Sequence, residues 1–168
     1  MPKWVRGLLI EVRTVDIELN LMTESVEHAG PVEPLCVEPG TPLRDVLVLL
    51  RERNRPTALV CRAGILAGVF TERDALRVMA QGVNLSTPIE QVMTSRPVTV
   101  HAGEKVGVAV QKMATGGYRR LPIVDDAGRP VGLVQVSGIV HYLVEHFPKT
   151  IYNLPPLPHP VMQQREGP

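Results

Sequence analysis

Gly64-Ile65-Leu66-Ala67-Gly68-Val69-Phe70 returns 64 positions later as Gly128-Arg129-Pro130-Val131-Gly132-Leu133-Val134, with both glycines and the closing apolar pair in register. A segment that recurs at a fixed spacing marks a repeated structural unit. Each copy places two short apolar runs around a Gly-containing turn, which predicts a β-hairpin. Upstream, Leu43, Val46, Leu47 and Leu50 match Val106, Ala109, Val110 and Met113 at an offset of 63, and both sets keep the i, i+3, i+4, i+7 spacing of an amphipathic helix. Further upstream, Val37-Glu38-Pro39-Gly40 matches Val100-His101-Ala102-Gly103. A second helix is predicted after each hairpin, near 72–81 and 138–145. The unit therefore reads strand, helix, strand, strand, helix. The predicted fold is α+β, two pseudo-symmetric repeats packed sheet to sheet, because a unit this short cannot cover its own sheet.

Local signals refine the outline. Thr41 before Pro42 predicts an N-cap with proline at the first helical position. Met22-Thr23 and Met93-Thr94 precede the two units, but the first pair stands eight residues further from its strand, which predicts an insertion around Glu24–Pro31. Val15, Ile17, Leu19 and Leu21 alternate with polar residues like a half-buried strand. After Phe147 the chain turns Pro-rich, and Asn153-Leu154-Pro155-Pro156-Leu157-Pro158 cannot continue a helix. The expected organisation is an N-terminal extension over 1–30, repeats over 31–83 and 84–147, and a Pro-rich tail over 148–168.

Composition narrows the function classes. Eighteen Lys and Arg against seventeen Asp and Glu leave a formal charge of +1, so no broad basic field is available for a nucleic-acid backbone. The 168 residues contain no run near the roughly 18 apolar residues of a membrane span and no secretory leader pattern. A cytoplasmic protein without membrane or nucleic-acid partners is expected. Cys36 and Cys61 form no Cys-x-x-Cys pair and read as small reduced core residues. His141 and His146 are five apart, do not share a helical face and lack a cysteine to complete a zinc set, so no metal is expected. Neither a nucleophile elbow, a phosphate loop nor a dinucleotide-binding turn is present, and no catalytic residue is assigned.

Three segments carry a family likeness: Val92-Met93-Thr94 before a unit, Arg120-Leu121-Pro122-Ile123-Val124-Asp125 entering a middle strand, and Gly68-Val69-Phe70-Thr71-Glu72-Arg73-Asp74 leaving a last strand. With these at matching places in a repeat, the unit resembles a cystathionine-β-synthase (CBS) domain and the tandem resembles a Bateman module, over about residues 31–147. The resemblance implies an adenosine nucleotide (AMP, ADP or ATP) as regulatory ligand, no required cofactor, a homodimer formed through the second helices, and a protein partner that receives the signal. It implies that Asp74 accepts the ribose hydroxyls, with Thr71 beside it. Arg120, Arg119 and Arg55 would hold the phosphates, and Val69, Val98 and Thr99 would line the base.

An ionised carboxylate can accept two hydroxyl protons at once, so the ribose role suits Asp74 chemically. Thr-x-x-Asp at a helix start is also a capping box that needs no ligand, and the two readings are compatible. Each arginine has a second reading as a solvated surface charge, and each apolar residue as core. The second copy reads Gln135-Val136-Ser137-Gly138, with Gln for Thr and Gly for Asp, so one principal site is expected while Ser137 still caps its helix. The functional expectation is a non-catalytic regulatory module that senses an adenosine nucleotide in the cleft between the repeats. Its alternative is an interaction or oligomerisation subunit of an enzyme or transporter that binds no ligand.

Overall fold

The structure is a computed structural model that describes residues 21–148. The alternating stretch from Val15 to residue 20 and the Pro-rich tail from residue 149 lie outside the described residues. The first unit contains β1 (Cys36–Val37), α1 (Leu43–Glu52), β2 (Thr57–Arg62), β3 (Ile65–Thr71) and α2 (Glu72–Ala80). A short strand β4 (Thr94–Ser95) follows. The second unit contains β5 (Val100–His101), α3 (Val106–Gly116), β6 (Arg120–Val124), β7 (Pro130–Gln135) and α4 (Val136–His146). Both units have the expected strand, helix, strand, strand, helix order.

The sheets run β1-β2-β3-β4 and β5-β6-β7. In each, the first strand is parallel to the second and the hairpin is antiparallel. Ala63 and Gly64, at φ 50° and 79°, close the first hairpin with the left-handed pair that a two-residue turn requires. The longer second turn is held by Asp125, whose Oδ1 accepts from the amides of Ala127 and Arg129 at 2.9 and 2.8 Å. Leu59 and Cys61 of the first sheet and Leu133 of the second form a buried cluster joined by Val69, so the sheets face each other across the pseudo-symmetric seam.

The predicted helical stripes are the core. Leu43, Val46 and Leu50 pack with Phe70 and Val78, and Val106, Ala109 and Met113 pack with Leu121, Val134 and Ile139. Each core is completed by a segment from ahead of the other unit. Ile89, in a single 3-10 turn leading toward the second unit, is fully buried in the first core, and β4 adds to the edge of β3. Val26, in the equivalent turn ahead of the first unit, is fully buried in the second core, and Val32 bridges Leu133 of β7. These turns, Val26–His28 and Ile89–Gln91, begin 63 residues apart, the offset of the repeat itself. The insertion expected around Glu24–Pro31 is therefore absent. Met22-Thr23 is not the counterpart of Met93-Thr94.

Several local expectations need correction. Thr41 does not cap α1. Pro42 holds the cap position without a side-chain bond, and the amides of Leu43 and Arg44 donate instead to the carbonyls of Thr87 and Leu85 at 2.8 and 2.9 Å. Ser137 does not cap α4, whose cap residue is Gln135 and likewise makes no side-chain bond. Cys61 is buried as expected, and burial together with the neighbouring Cys36 pushes its thiol up to about 12, but Cys36 itself is exposed on β1. Ile139 is buried in its own core, and Leu143 and Ala75 are partly buried against theirs. The apolar residues left exposed on the second helices are Leu76, Met79, Val136 and Val140.

Candidate functional site

The end of β3 and the start of α2 form the rigid side of the site. Thr71 is extended at φ −121°, ψ 169°, so its side chain folds over the first turn of α2. Its Oγ1 accepts from the Asp74 amide at 3.4 Å, while the Thr71 amide and hydroxyl both donate to Asp74 Oδ2, at 3.0 and 2.7 Å. This is a complete capping box. On the other oxygen, Arg77 Nη2 donates to Asp74 Oδ1 at 2.9 Å and also to the Val92 carbonyl at 3.0 Å. The carboxylate thus uses three of its roughly four acceptor positions within the protein, and one on Oδ1 remains. Arg77 is half exposed, whereas the Asp74 side chain is only 13% exposed.

Asp74 and Thr71 line a cleft of about 470 Å³ between the units. Val69 and Leu133 form its floor from the two facing sheets, and Arg119 and Arg120 enter from the start of β6. Val98, 39% exposed and hence not core, lines it from the linker between the units. Six residues proposed from sequence, Thr71, Asp74, Arg119, Arg120, Val69 and Val98, therefore meet in one cleft. Two do not. Thr99 is absent from the lining, and its carbonyl accepts from Lys112 Nζ at 2.9 Å. Arg55 lies in an adjoining pocket that shares Glu72 and Arg120 with the cleft.

Further residues line the cleft that sequence reasoning did not select. Arg73 stands inside the Thr-x-x-Asp segment, Tyr118 sits next to the selected Arg119, and Arg96 follows β4. Among the described residues, none of Arg73, Arg96, Arg119 and Arg120 forms an ion pair, while the acidic residues of the lining are Glu72 and the already paired Asp74. The field in the cleft is therefore positive despite the near-neutral chain. Arg96 has φ 47°, a left-handed conformation uncommon for a residue with a side chain and concentrated at functional sites. Thr57 Oγ1 and Arg120 Nε are buried without a hydrogen-bond partner among the described residues. A buried polar group left unsatisfied costs about 1–3 kcal/mol, and both residues line this cleft. No group of three or more metal-binding side chains occurs among the described residues. What the arrangement can do is bind an anion with a polar and an apolar portion.

The family model for the CBS domain matches residues 19–81 and 89–145. The CBS domain-containing protein YhcV of Bacillus subtilis is 33% identical over 116 residues, which cover 68% of this chain and 82% of that protein. Among solved structures, the CBS domain protein PAE2072 of Pyrobaculum aerophilum, complexed with AMP, superimposes with a TM-score of 0.65 at 24% identity, covering 73% of this chain and 99% of that one. The CBS domain pair of protein MJ0100, in complex with 5′-methylthioadenosine and S-adenosyl-L-methionine, gives 0.64 at 25% identity, covering 70% and 98%. With its two matched segments coinciding with the two structural units, the chain belongs to the CBS domain family as a tandem pair.

Proposed function

We propose that this CBS pair is a regulatory module that binds an adenosine nucleotide (AMP, ADP or ATP) in the cleft between its units and passes occupancy to a protein partner without itself catalysing a reaction. The observation that carries this reading is a cleft with four arginines lacking ion-pair partners among the described residues and two buried polar atoms lacking hydrogen bonds. In this reading both ribose hydroxyls go to Asp74 Oδ1, with Thr71 beside it, and the base lies against Val69 and Val98. Arg119 and Arg120 take the α-phosphate, whose oxygens match the planar fork of a guanidinium. The ligands named for PAE2072 and MJ0100 support the adenosine class.

Ribose capture needs a second hydroxyl site on the carboxylate, so the ligand displaces the half-exposed Arg77 from Oδ1. That exchange offers a route to signalling, because Arg77 also holds the Val92 carbonyl in the linker. A ligand shifts an arrangement only by preferring one state. Exposed Leu76, Met79, Val136 and Val140 on α2 and α4 support a homodimer through these helices. No helix among the described residues is long and apolar enough to cross a membrane, which agrees with a cytoplasmic module.

A second reading, a docking subunit that binds no ligand, is favoured by the existing cap and ion pair on Asp74. Thermal unfolding with AMP, ADP, ATP and S-adenosylmethionine separates the two. At a ligand concentration of about 100 times Kd, binding stabilises by about 2.7 kcal/mol, which raises Tm by several degrees. The expected result is a rise with a nucleotide, a smaller rise with the cationic S-adenosylmethionine, and neither in Asp74→Ala beyond that variant's own lower baseline. No shift of the unaltered protein with any of the four compounds leaves the docking reading.

A further inference from the structure

We propose that Cys36 and Cys61 are a redox-sensitive pair that closes into a disulfide between β1 and β2 and clamps the segment leading into the first unit against the seam between the sheets. They are the two cysteines of the chain. The parallel register brings them to one face. Cys36 is the partner of Leu59, and Val37 that of Val60, while alternate residues of a strand share a face. Val37 and Val60 turn into the core of the first unit, whereas Leu59 and Cys61 turn into the cluster that joins the two sheets. Cys36 therefore lies on the seam side, one two-residue step along from Cys61. Its thiol is near enough to add to the effect of burial in pushing the Cys61 thiol up to about 12. Cys61 Sγ donates to the Leu59 carbonyl at 3.8 Å, a weak contact that it can give up.

Exposure sets the order of events. Cys36 is exposed and Cys61 buried, so an oxidant from solvent meets Cys36 first. With a small disulfide such as glutathione disulfide, the Cys36 thiolate attacks one sulfur, a mixed disulfide forms and one glutathione leaves. The Cys61 sulfur then attacks the Cys36 sulfur, the bond to glutathione breaks and the second glutathione leaves. The two thiol protons end on the two glutathiones, and the pair gives up the two electrons that the small disulfide gains. The thiolate is the attacking form, so the raised Cys61 makes the second step slow and keeps this thiol from reacting alone. Diagonal neighbours on adjacent strands stand about 7–8 Å apart, beyond the roughly 4.4–6.8 Å between the Cα atoms of a disulfide. Closure therefore draws Cys36 inward, and β1, two residues long, begins at that residue. The leading segment moves with it, because Val32 bridges Leu133 of the second sheet and the Leu35 carbonyl accepts from the Leu59 amide at 2.8 Å. The bond thus acts on the contact between the units, and a bond closed under strain is readily reopened by thiols.

Oxidation of the full chain with glutathione disulfide, followed by intact mass under denaturing conditions and by peptide mapping, tests the proposal. The expected product has lost the mass of two hydrogens, carries no glutathione, yields a cross-linked peptide pair containing Cys36 and Cys61, and is restored by dithiothreitol. It is expected to unfold about 5 °C or more above the reduced protein, since a cross-link restrains the unfolded chain. In C61S the mixed disulfide at Cys36 is expected to persist. In C36S, whose substitution is on the surface, Cys61 is expected to stay unmodified while the protein is folded. A lasting mixed disulfide on Cys36 of the unaltered protein, two free thiols after prolonged oxidation, or a bond between Cys36 residues of two chains each overturns the pair. An oxidised protein that melts no higher than the reduced one overturns the clamp.

Discussion

The starts of α2 and α4 occupy equivalent places in the two units, yet only that of α2 carries a carboxylate and a complete cap. At α2, Thr71 and Asp74 lock each other in a capping box, with Arg77 as a third partner. At α4, Gln135 makes no cap bond, and the first amide of the helix, that of Val136, donates to the Arg119 carbonyl at 3.1 Å. The lead-in segments differ as well. In the first unit the Val92 carbonyl is held by Arg77. In the second, the Ala29 and Gly30 carbonyls crowd Gly138, where a Cβ would stand 3.0 and 3.1 Å from their oxygens. The second site is thus closed by backbone as well as stripped of its carboxylate. Loss of the acid and approach of the arm go together here, because any side chain at position 138 would press its Cβ on two carbonyl oxygens of the arm and push it back by a few tenths of an ångström.

The sharpest test of that pairing is to restore the missing acid. Gly138→Asp is expected to destabilise the protein by about 1–3 kcal/mol or more, as overpacking does, because Cβ meets two carbonyl oxygens and the carboxylate meets their negative ends. Denaturant unfolding measures the loss. Nucleotide stoichiometry is expected to remain one per chain, and a second equivalent would show that the arm yields and that chemistry alone silences the site.

A smaller effect separates the two helix starts directly. Thr71→Ala removes the cap of α2 and one partner of Asp74, at about 1 kcal/mol. Gln135→Ala removes a side chain that makes no cap bond, so it is expected to stay within about 0.5 kcal/mol. Equal losses in the two variants would mean that the cap contributes little and that packing alone holds α2.

The same contrast explains what the sequence could and could not disclose. Hairpins, helical stripes and the Thr71–Asp74 box are local, and residues such as Gly64, Leu43 and Asp74 announce them through spacing alone. The exchanged lead-ins are not local. Val26 and Ile89 sit in single 3-10 turns with no periodicity to detect, and only their burial in the opposite core gives them meaning. Likewise the place of Arg55 is matched by Tyr118 and not by Arg119: the amides of Arg55 and Tyr118 close the same turn on Leu50 and Met113 after the left-handed Asn54 and Gly117, and Arg55 lines the adjoining pocket. Val98 and Thr99 are neighbours that part company: Val98 lines the cleft, whereas Thr99 does not and gives its carbonyl to Lys112. The closure at Gly138 was visible as a missing acid, whereas its cause, an arm more than 100 residues earlier in the chain, was not.

The smallest expected effect concerns pH. Both carboxylates held clearly below their ordinary range among the described residues, Glu104 and Asp125, lie in the second unit. For Glu104, burial alone pushes the group upward, but the donated His101 amide at 2.8 Å and the Lys112 ammonium at 3.1 Å outweigh it and bring the net value below 4.5. A carboxyl lowered by folding contributes stability that is fully present above its unfolded value and is lost as pH falls through its folded value. Acid is therefore expected to loosen the turn between β5 and α3, while the corresponding turn of the first unit, closed by the Thr41 amide on the Glu38 carbonyl at 3.0 Å, has no such bond to lose. Glu104→Gln is expected to cost up to about 1 kcal/mol at neutral pH and progressively less below pH 4.5. Unfolding curves of the two proteins should converge toward acid. A difference that stays constant down to pH 3 would assign the cost of the substitution to packing and leave the ionic turn without a role in the asymmetry.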